Sequence, residues 1–185
     1  MTSRAEIEQR VGALLAKHRI EGPPVPVRDI ATAESLHIIE SSINGDVSGA
    51  LVRDGSFAAI AINVNNHSNR QRFTIAHELA HYFLDHEGEK EHIDWQFTVL
   101  RRDGRSSEAT DSREMEANYF AASLLMPREF VRADVAQLAR FNGEVMLEEE
   151  EIRSLALRYA VSPLAMTYRL VNLGLMDPVG PDEPI

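Results

Sequence analysis

The run of residues 72–84, RFTIAHELAHYFL, constrains this chain more than any other segment. It contains neither Pro nor Gly, and its apolar residues recur at the spacing of one helix face: Phe73, Ala76, Ala80, Phe83 and Leu84. Residues four apart lie one above the other on a helix, so His77 and His81 share a face and can reach one metal ion. Glu78 points about 100° further around the axis, beside the open side of that ion. This is the arrangement of a hydrolytic zinc site, in which a carboxylate lies beside a bound water.

The pattern HExxH also occurs by chance, on helices whose histidines are ordinary core or surface residues. The apolar flanks argue against chance here. A helix that is buried among apolar residues needs a reason to carry two histidines, because buried polar groups without partners are costly.

Composition narrows the class of protein. The chain of 185 residues is 44% hydrophobic and 26% charged, which is typical of a globular domain with a sizeable core. It has no Cys, so disulfides and thiolate metal sites are excluded, and a reducing compartment is compatible. The formal net charge of −10 argues against broad, non-specific nucleic-acid binding.

The N-terminus carries acidic residues where a signal peptide would need basic ones, and no apolar run reaches the roughly 18 residues of a membrane span. We therefore expect a cytoplasmic protein.

The periodicities predict an α+β fold: a mostly helical single domain with a small antiparallel sheet or hairpin beside the HExxH helix. We expect that domain to cover residues 1–176, with a helix-turn-helix-like C-terminal subdomain over 152–175 and a disordered tail over 177–185. The hairpin joins residues 48–53 and 56–63 through the turn Asp54-Gly55. Further elements are predicted as helices over 5–18, 27–36, 113–126, 128–140, 152–159 and 163–173, strands over 37–40 and 93–100, and a mobile loop over 101–112. Ser68 or Asn69 is the expected N-cap of the HExxH helix.

A catalytic zinc site usually takes a third protein ligand. The pattern HExxHxxGxxH would require Gly and His where this chain has Leu84 and Glu87, so that solution fails. A carboxylate from the helix over 113–126 is the other common solution. Glu114 shares a face with small and apolar residues at helical spacing, whereas Glu116 lies about 200° around the axis. We therefore favour Glu114 and keep Glu116 as the alternative third ligand.

Asn118 lies one turn below Glu114 and can orient a metal-binding side chain by forming a hydrogen bond with it. His67 and His92 lie on polar segments and are interpreted as exposed residues rather than as the third ligand. The two acidic residues at the start of this helix also have a purely structural reading, since acids suit the positive end of a helix dipole.

Two blocks of the sequence resemble the ImmA/IrrE family of metallopeptidases: residues 70–84, RQRFTIAHELAHYFL, and residues 114–127, EMEANYFAASLLMP. Together they cover about a sixth of the chain. Residues 48–63 and 155–175 also look like that family. Two long motifs in the right order are far more specific than HExxH alone. The sequence shows no long appended domain, so we expect a minimal, stand-alone protease core.

The resemblance implies a gluzincin-like site that binds Zn2+. His77 and His81 match the family's histidine ligands, Glu78 its catalytic acid, and Glu114 the first residue of its ExxAN pattern and so its carboxylate ligand. Better-known members of the family cleave helix-turn-helix repressors and so relieve repression in mobile elements or stress responses. The resemblance therefore implies a zinc-dependent endopeptidase whose partner and substrate is such a transcriptional repressor.

Hydrolysis also needs a donor for the oxyanion of the tetrahedral intermediate. Tyr82, Tyr119, Tyr168 and His92 are all conceivable, and the sequence does not choose among them. The loop over 101–112 directly precedes the Glu114 helix, so it is placed to border the cleft and help to select substrate.

Two other functions compete with proteolysis. Residues 155–173 have the pattern of a helix-turn-helix, with two helical segments joined by a short turn, which would suit a DNA-binding regulator. This segment carries only Arg158 and Arg169 as cations and follows four consecutive acids, so a structural role or a protein-docking role is favoured. The second competitor is a non-catalytic interaction module that retains a metal, but a purely structural metal site has no need of Glu78.

Overall fold

The computed structural model describes residues 2–43, 47–55, 57–84, 91–95, 108–142 and 147–177, and at 91–95, 108–111 and 139–142 only their backbone. The helices in these ranges are α1 (Arg4–Lys17), α2 (Val27–Ala33), α3 (Ser68–Phe83), α4 (Glu108–Leu125), α5 (Arg128–Asn142), α6 (Glu149–Tyr159) and α7 (Pro163–Asn172). The strands are β1 (Leu36–Ser41), β2 (Val47–Asp54), β3 (Phe57–Asn63) and β4 (Glu91–Trp95). The predicted α+β class, mostly helical with a small sheet, is confirmed.

The strands form one mixed sheet in the order β1-β3-β2-β4. The predicted hairpin is present as the antiparallel pair β2–β3. The sheet extends beyond it on both sides, because β1 pairs with β3 in parallel and β4 pairs with β2 in antiparallel orientation. Leu36 of β1 and the alternating residues Ala58, Ile60 and Ile62 of β3 are buried on one side of the sheet, which gives it an apolar face.

The hairpin turn falls one residue later than predicted. Asp54 pairs with Phe57, so the connecting residues are 55 and 56 rather than 54 and 55. Gly55 has φ +59°, a left-handed conformation in which glycine meets no steric penalty. Ser56 lies outside the described residues.

Helix α3 lies closely against β2. A side chain at Gly49 would have its Cβ 2.6 Å from the carbonyl oxygen of Ala61 and in still closer contact with the Thr74 methyl group. Only glycine therefore allows the helix and the sheet to approach this closely. The neighbouring Ser48 is buried, and its hydroxyl accepts hydrogen bonds from the Arg70 guanidinium on α3 at 2.8 and 3.0 Å. These contacts fix the height and register of α3 along β2.

Helix α4 packs on α3 through its small and apolar face, which includes the fully buried Ala117, Ala121 and Leu124. This packing follows the predicted periodicity. The helix begins at Glu108, however, so the expected loop is wrong for residues 108–112, while 101–107 lie outside the described residues. Polar residues there resemble a loop in sequence, but Ala is a strong helix former and acids suit the first turn of a helix.

A buried ion pair joins α7 to α1. The Nη1 atom of Arg169 on α7 lies 2.9 Å from Glu8 Oε1 in a salt bridge, and its Nε donates to the carbonyl oxygen of Met126 at 2.9 Å. The hydroxyls of Tyr119 and Ser123 on α4 donate to the same carboxylate oxygen at 3.0 and 3.1 Å. Burial alone would raise the pKa of the Glu8 carboxyl, but the hydrogen bond and charge of Arg169, with the two hydroxyls, hold it below its usual value of 4.5.

The predicted pair of C-terminal helices is present as α6 and α7, joined by a turn in which Ala160 has φ +52°. The turn is fixed from two sides, because Arg72 of α3 donates to the Ala160 carbonyl at 3.3 Å and Tyr159 donates to Asp134 of α5 at 2.8 Å. Burial, together with the bond to Asp134, raises the pKa of the Tyr159 hydroxyl. The pair is thus anchored to the rest of the fold.

Two predictions fall partly outside the described residues. The strand predicted over 93–100 is present as β4 through Trp95, and residues 96–100 are not described. The predicted tail is described only at Asp177. None of the described helices has the length and apolar character that crossing a membrane requires.

Candidate metal centre

Helix α3 positions the HExxH residues as predicted. His77, Glu78 and His81 are all buried, with Glu78 at 0% exposure. The Nε2 atoms of the two histidines face each other at 3.0 Å. The predicted N-cap was wrong: neither Ser68 nor Asn69 caps the helix, because His67 does so by accepting the Asn69 N–H on Nδ1 at 3.2 Å. An imidazole nitrogen can replace the usual hydroxyl or carboxylate oxygen in this role.

Helix α4 brings a carboxylate to the two imidazoles. Glu114 Oε2 lies 3.3 Å from His77 Nε2, and Glu114 Oε1 lies 3.5 Å from His81 Nε2. One ligand atom from each of the three residues lies within 4.8 Å of the others, and no second such group exists among the described residues. The Glu114 side chain is 36% exposed whereas the histidine side chains are buried, so the group opens to solvent on the side of α4.

Asn118 fixes the orientation of His77. Its Oδ1 lies 3.0 Å from His77 Nδ1, on the far side of the ring from Glu114. An amide oxygen only accepts hydrogen bonds, so His77 Nδ1 carries the proton and Nε2 keeps its lone pair. This is the tautomer that a histidine ligand needs, and the contact is of the kind that outer groups commonly make to metal-binding histidines.

The spacing of these atoms fits a divalent metal ion. Two atoms bound about 2.0–2.1 Å from a tetrahedral zinc lie about 3.3 Å apart. The two histidine Nε2 atoms are 3.0 Å apart, and they lie 3.3 Å from Oε2 and 3.5 Å from Oε1 of the Glu114 carboxylate respectively. Two imidazole nitrogens and a carboxylate are also a usual donor set for this ion. The side chains of this chain are therefore arranged so that a metal could be bound with little movement.

Glu116, the alternative third ligand, lies elsewhere. It is buried against the start of the chain, and its Oε1 accepts the backbone N–H of Thr2 at 2.9 Å. The choice between the two acids by their position around α4 agrees with the geometry, because Glu114 faces α3 and Glu116 faces the N-terminal segment.

The structure describes the side chains of three of the four candidate oxyanion donors. The Tyr119 hydroxyl is used by Glu8, and Tyr168 is exposed on α7. The Tyr82 ring contacts the guanidinium of Arg53. His92 is described by its backbone alone, in β4. His67 is exposed and lies outside the group, as predicted.

Some contacts around the group were not predicted from the sequence. Arg53 of β2 donates from Nη2 to the backbone carbonyl of His81 at 2.8 Å. Its position at the end of a hairpin strand gives no sign of this contact, which joins residues 28 apart in the chain. The ring of Phe73 lies 6.2 Å from the His77 ring and beneath the guanidinium of Arg70. The apolar period of α3 indicated that Phe73 faces inward, but not which side chain covers it.

Comparison with known proteins identifies the family. The model of the IrrE N-terminal-like domain, Peptidase_M78, matches residues 32–171, about three quarters of the chain. The chain therefore belongs to the IrrE N-terminal-like domain family, and the resemblance recognised in the sequence is confirmed. Metallopeptidase ImmA of Bacillus subtilis (strain 168) is 23% identical over 158 residues, which cover 85% of each chain.

A solved structure shares the fold. A Mycobacterium tuberculosis transcriptional regulator superposes with a TM-score of 0.57 at 17% sequence identity, over 90% of this chain and 46% of that chain. This chain therefore spans about half the length of that regulator. At this level of identity the likeness concerns the fold alone.

Proposed function

We propose that this protein is a zinc-dependent endopeptidase that hydrolyses a peptide bond in a specific intracellular protein. The observation that carries the proposal is the convergence of His77, His81 and Glu114 within 4.8 Å, with Glu78 buried on the same helix as the two histidines. Family membership and the relative named a metallopeptidase support it. A structural metal needs three or four ligands but has no use for an additional buried carboxylate beside them.

His77, His81 and Glu114 would hold the ion, and Asn118 would keep the His77 ring in its ligand tautomer. When bound, such an ion polarises the scissile carbonyl and lowers the pKa of water towards neutrality. Glu78 accepts the proton of the attacking water and later returns it to the amine of the leaving peptide. The open side at Glu114 is the route by which a peptide would reach these groups. The same donor set accepts other divalent ions, so zinc itself is part of the proposal.

For the substrate we propose a helix-turn-helix transcriptional repressor in the cytoplasm. The net charge of −10 supports a partner of this kind, because it suits association with a basic DNA-binding domain. The absence of Cys supports the compartment, because it suits a reducing environment. Cleavage would relieve repression, which would connect the protein to transcription regulation in stress responses or mobile elements.

Direct DNA binding by α6 and α7 is the less favoured alternative. Arg169, on the helix that would enter a groove, is 1% exposed and paired with Glu8. Arg158 is already paired with Asp134 at 2.8 Å. Neither cation of the segment is presented to phosphates in the way that a recognition helix requires.

N-terminal peptide profiling tests the proposed function. A lysate of the native host is incubated with the zinc-loaded protein or with its Glu78→Gln variant, and new protein N-termini are identified by mass spectrometry. We expect a small number of N-termini that require Glu78, with a helix-turn-helix protein among the proteins cleaved. If both samples give the same N-termini, the endopeptidase proposal fails and the non-catalytic module becomes the better reading.

A further inference from the structure

The C-terminal turn of α3 is held by two arginines from other elements. Arg53 of β2 donates to the carbonyl of His81 at 2.8 Å, and Arg10 of α1 donates to the carbonyl of Phe83 at 3.0 Å. The last carbonyls of a helix have no partner within it, and a positive charge near them is favourable. Both arginines therefore stabilise the same helix end, but only Arg53 contacts the backbone of a residue in the metal group.

His81 needs such support more than His77 does. His77 lies in the interior of α3, and its ring is also held by Asn118 at 3.0 Å. His81 lies in the last turn, since α3 ends at Phe83 with Leu84 as the C-cap. Helix ends fray, and metal coordination tolerates deviations of only about 0.2 Å in ligand distance. Movement of the last turn would therefore displace one ligand while leaving the other in place.

Arg53 is well placed to prevent that movement. It is half-buried, and its strand is hydrogen-bonded on both sides, to β3 and to β4. Its guanidinium carbon lies 5.2 Å from the centroid of the Tyr82 ring, a cation–π contact with the residue that follows His81. One side chain on a central strand thus holds the backbone of His81 and the ring next to it.

We propose that Arg53 is a positioning residue for the metal site, which holds the His81 imidazole against His77 and Glu114 by binding the His81 carbonyl. The inference rests on the proposed metal site. The sheet thus contributes to metal binding indirectly, because β2 carries the side chain that holds the backbone of the second histidine.

Binding of Co2+ to the metal-free protein tests the proposal without relying on activity. The affinity is obtained by titration, and the visible absorption of bound Co2+ at saturation reports the geometry of its ligands. The variants are Arg53→Met, Arg53→Gln as a second variant should the first not fold, Arg53→Lys, and Arg10→Met as the matched control. Arg53→Lys tests rescue, because lysine keeps the positive charge and an N–H donor for the single acceptor, the His81 carbonyl.

We expect Arg53→Met to weaken Co2+ binding about 10-fold and to change the spectrum of the bound ion. Arg53→Lys should restore both, and Arg10→Met should leave both as in the wild type. Wild-type affinity and spectrum in Arg53→Met or Arg53→Gln would overturn the inference and leave the metal site standing. Equal weakening by Arg10→Met would overturn it too, since the effect would then belong to the helix end in general. If the wild type binds no Co2+, the proposed metal site fails and the inference fails with it.

Discussion

Replacing Glu78 by Gln should reduce peptide-bond cleavage by about 10²–10⁴-fold while leaving the metal content unchanged. The amide keeps the size of the carboxylate but cannot accept the proton of the attacking water, and general acid–base catalysis contributes rate factors of this size. Glu78 is not a member of the His77, His81 and Glu114 group, so its replacement removes none of the three proposed ligands. The turnover of the substrate found by N-terminal profiling and the elemental analysis of the same preparation give the two quantities.

Glu116→Gln is the matched control for this prediction. It makes the same chemical change at a buried glutamate on the neighbouring helix, away from the metal group. We expect the folded fraction of Glu116→Gln to turn over substrate at the wild-type rate. Full activity in Glu78→Gln would show that Glu78 is not the general base, and loss of metal in that variant would place Glu78 among the ligands instead.

Removing the Glu8 carboxylate should destabilise the fold more than any surface substitution. In Glu8→Ala the guanidinium of Arg169, whose side chain is 0% exposed, loses its partner and remains buried as an uncompensated charge. Breaking a buried pair in this way costs about 3–5 kcal/mol. Urea unfolding of the wild type and the variant measures the difference.

Glu149→Ala provides the comparison, because it removes an exposed ion pair with Arg153 on α6. Exposed pairs of this kind contribute little to stability, so its unfolding curve should overlie that of the wild type. Equal and small effects in both variants would mean that the buried pair does not hold α1, α4 and α7 together.

The Glu8 pair also has a pH signature. The pKa of the carboxyl is lower in the folded protein than its usual value of 4.5, which it regains on unfolding. Its contribution is therefore complete above about pH 5 and is lost as the pH falls through the lowered folded value. The gap in unfolding free energy between the wild type and Glu8→Ala should accordingly narrow as the pH is taken from 6 towards 3. A gap that widens with acidification would contradict this assignment.

Periodicity predicted the parts of the fold and site that depend on one helix or one hairpin. The spacing of His77 and His81 placed both rings on one face of α3. The position of Glu114 around α4 distinguished it from Glu116 before any contact was known. Such placements can be made from sequence because a helix has a fixed angle per residue, so the direction of each side chain follows from its position.

What the sequence did not predict depends on contacts between distant segments. Strand β1 pairs in parallel with β3, although β2 follows it in the chain, so the connection from β1 to β2 must pass across β3. No local sequence pattern indicates such a connection. The contact of Arg53 with His81 depends on how β2 lies along α3, and this in turn depends on the absence of a side chain at Gly49. The early start of α4 was missed for a different reason, because polar residues at a helix N-terminus have the composition of a loop.

The metal content of the purified protein tests the central claim most directly. Wild type, His77→Ala, Glu114→Ala and Glu116→Ala are purified without chelators, and their metal is determined by elemental analysis. We expect one equivalent of zinc in the wild type and in Glu116→Ala, and its loss in His77→Ala and Glu114→Ala. A wild-type protein that contains no metal, and takes up none when zinc is added, would contradict it.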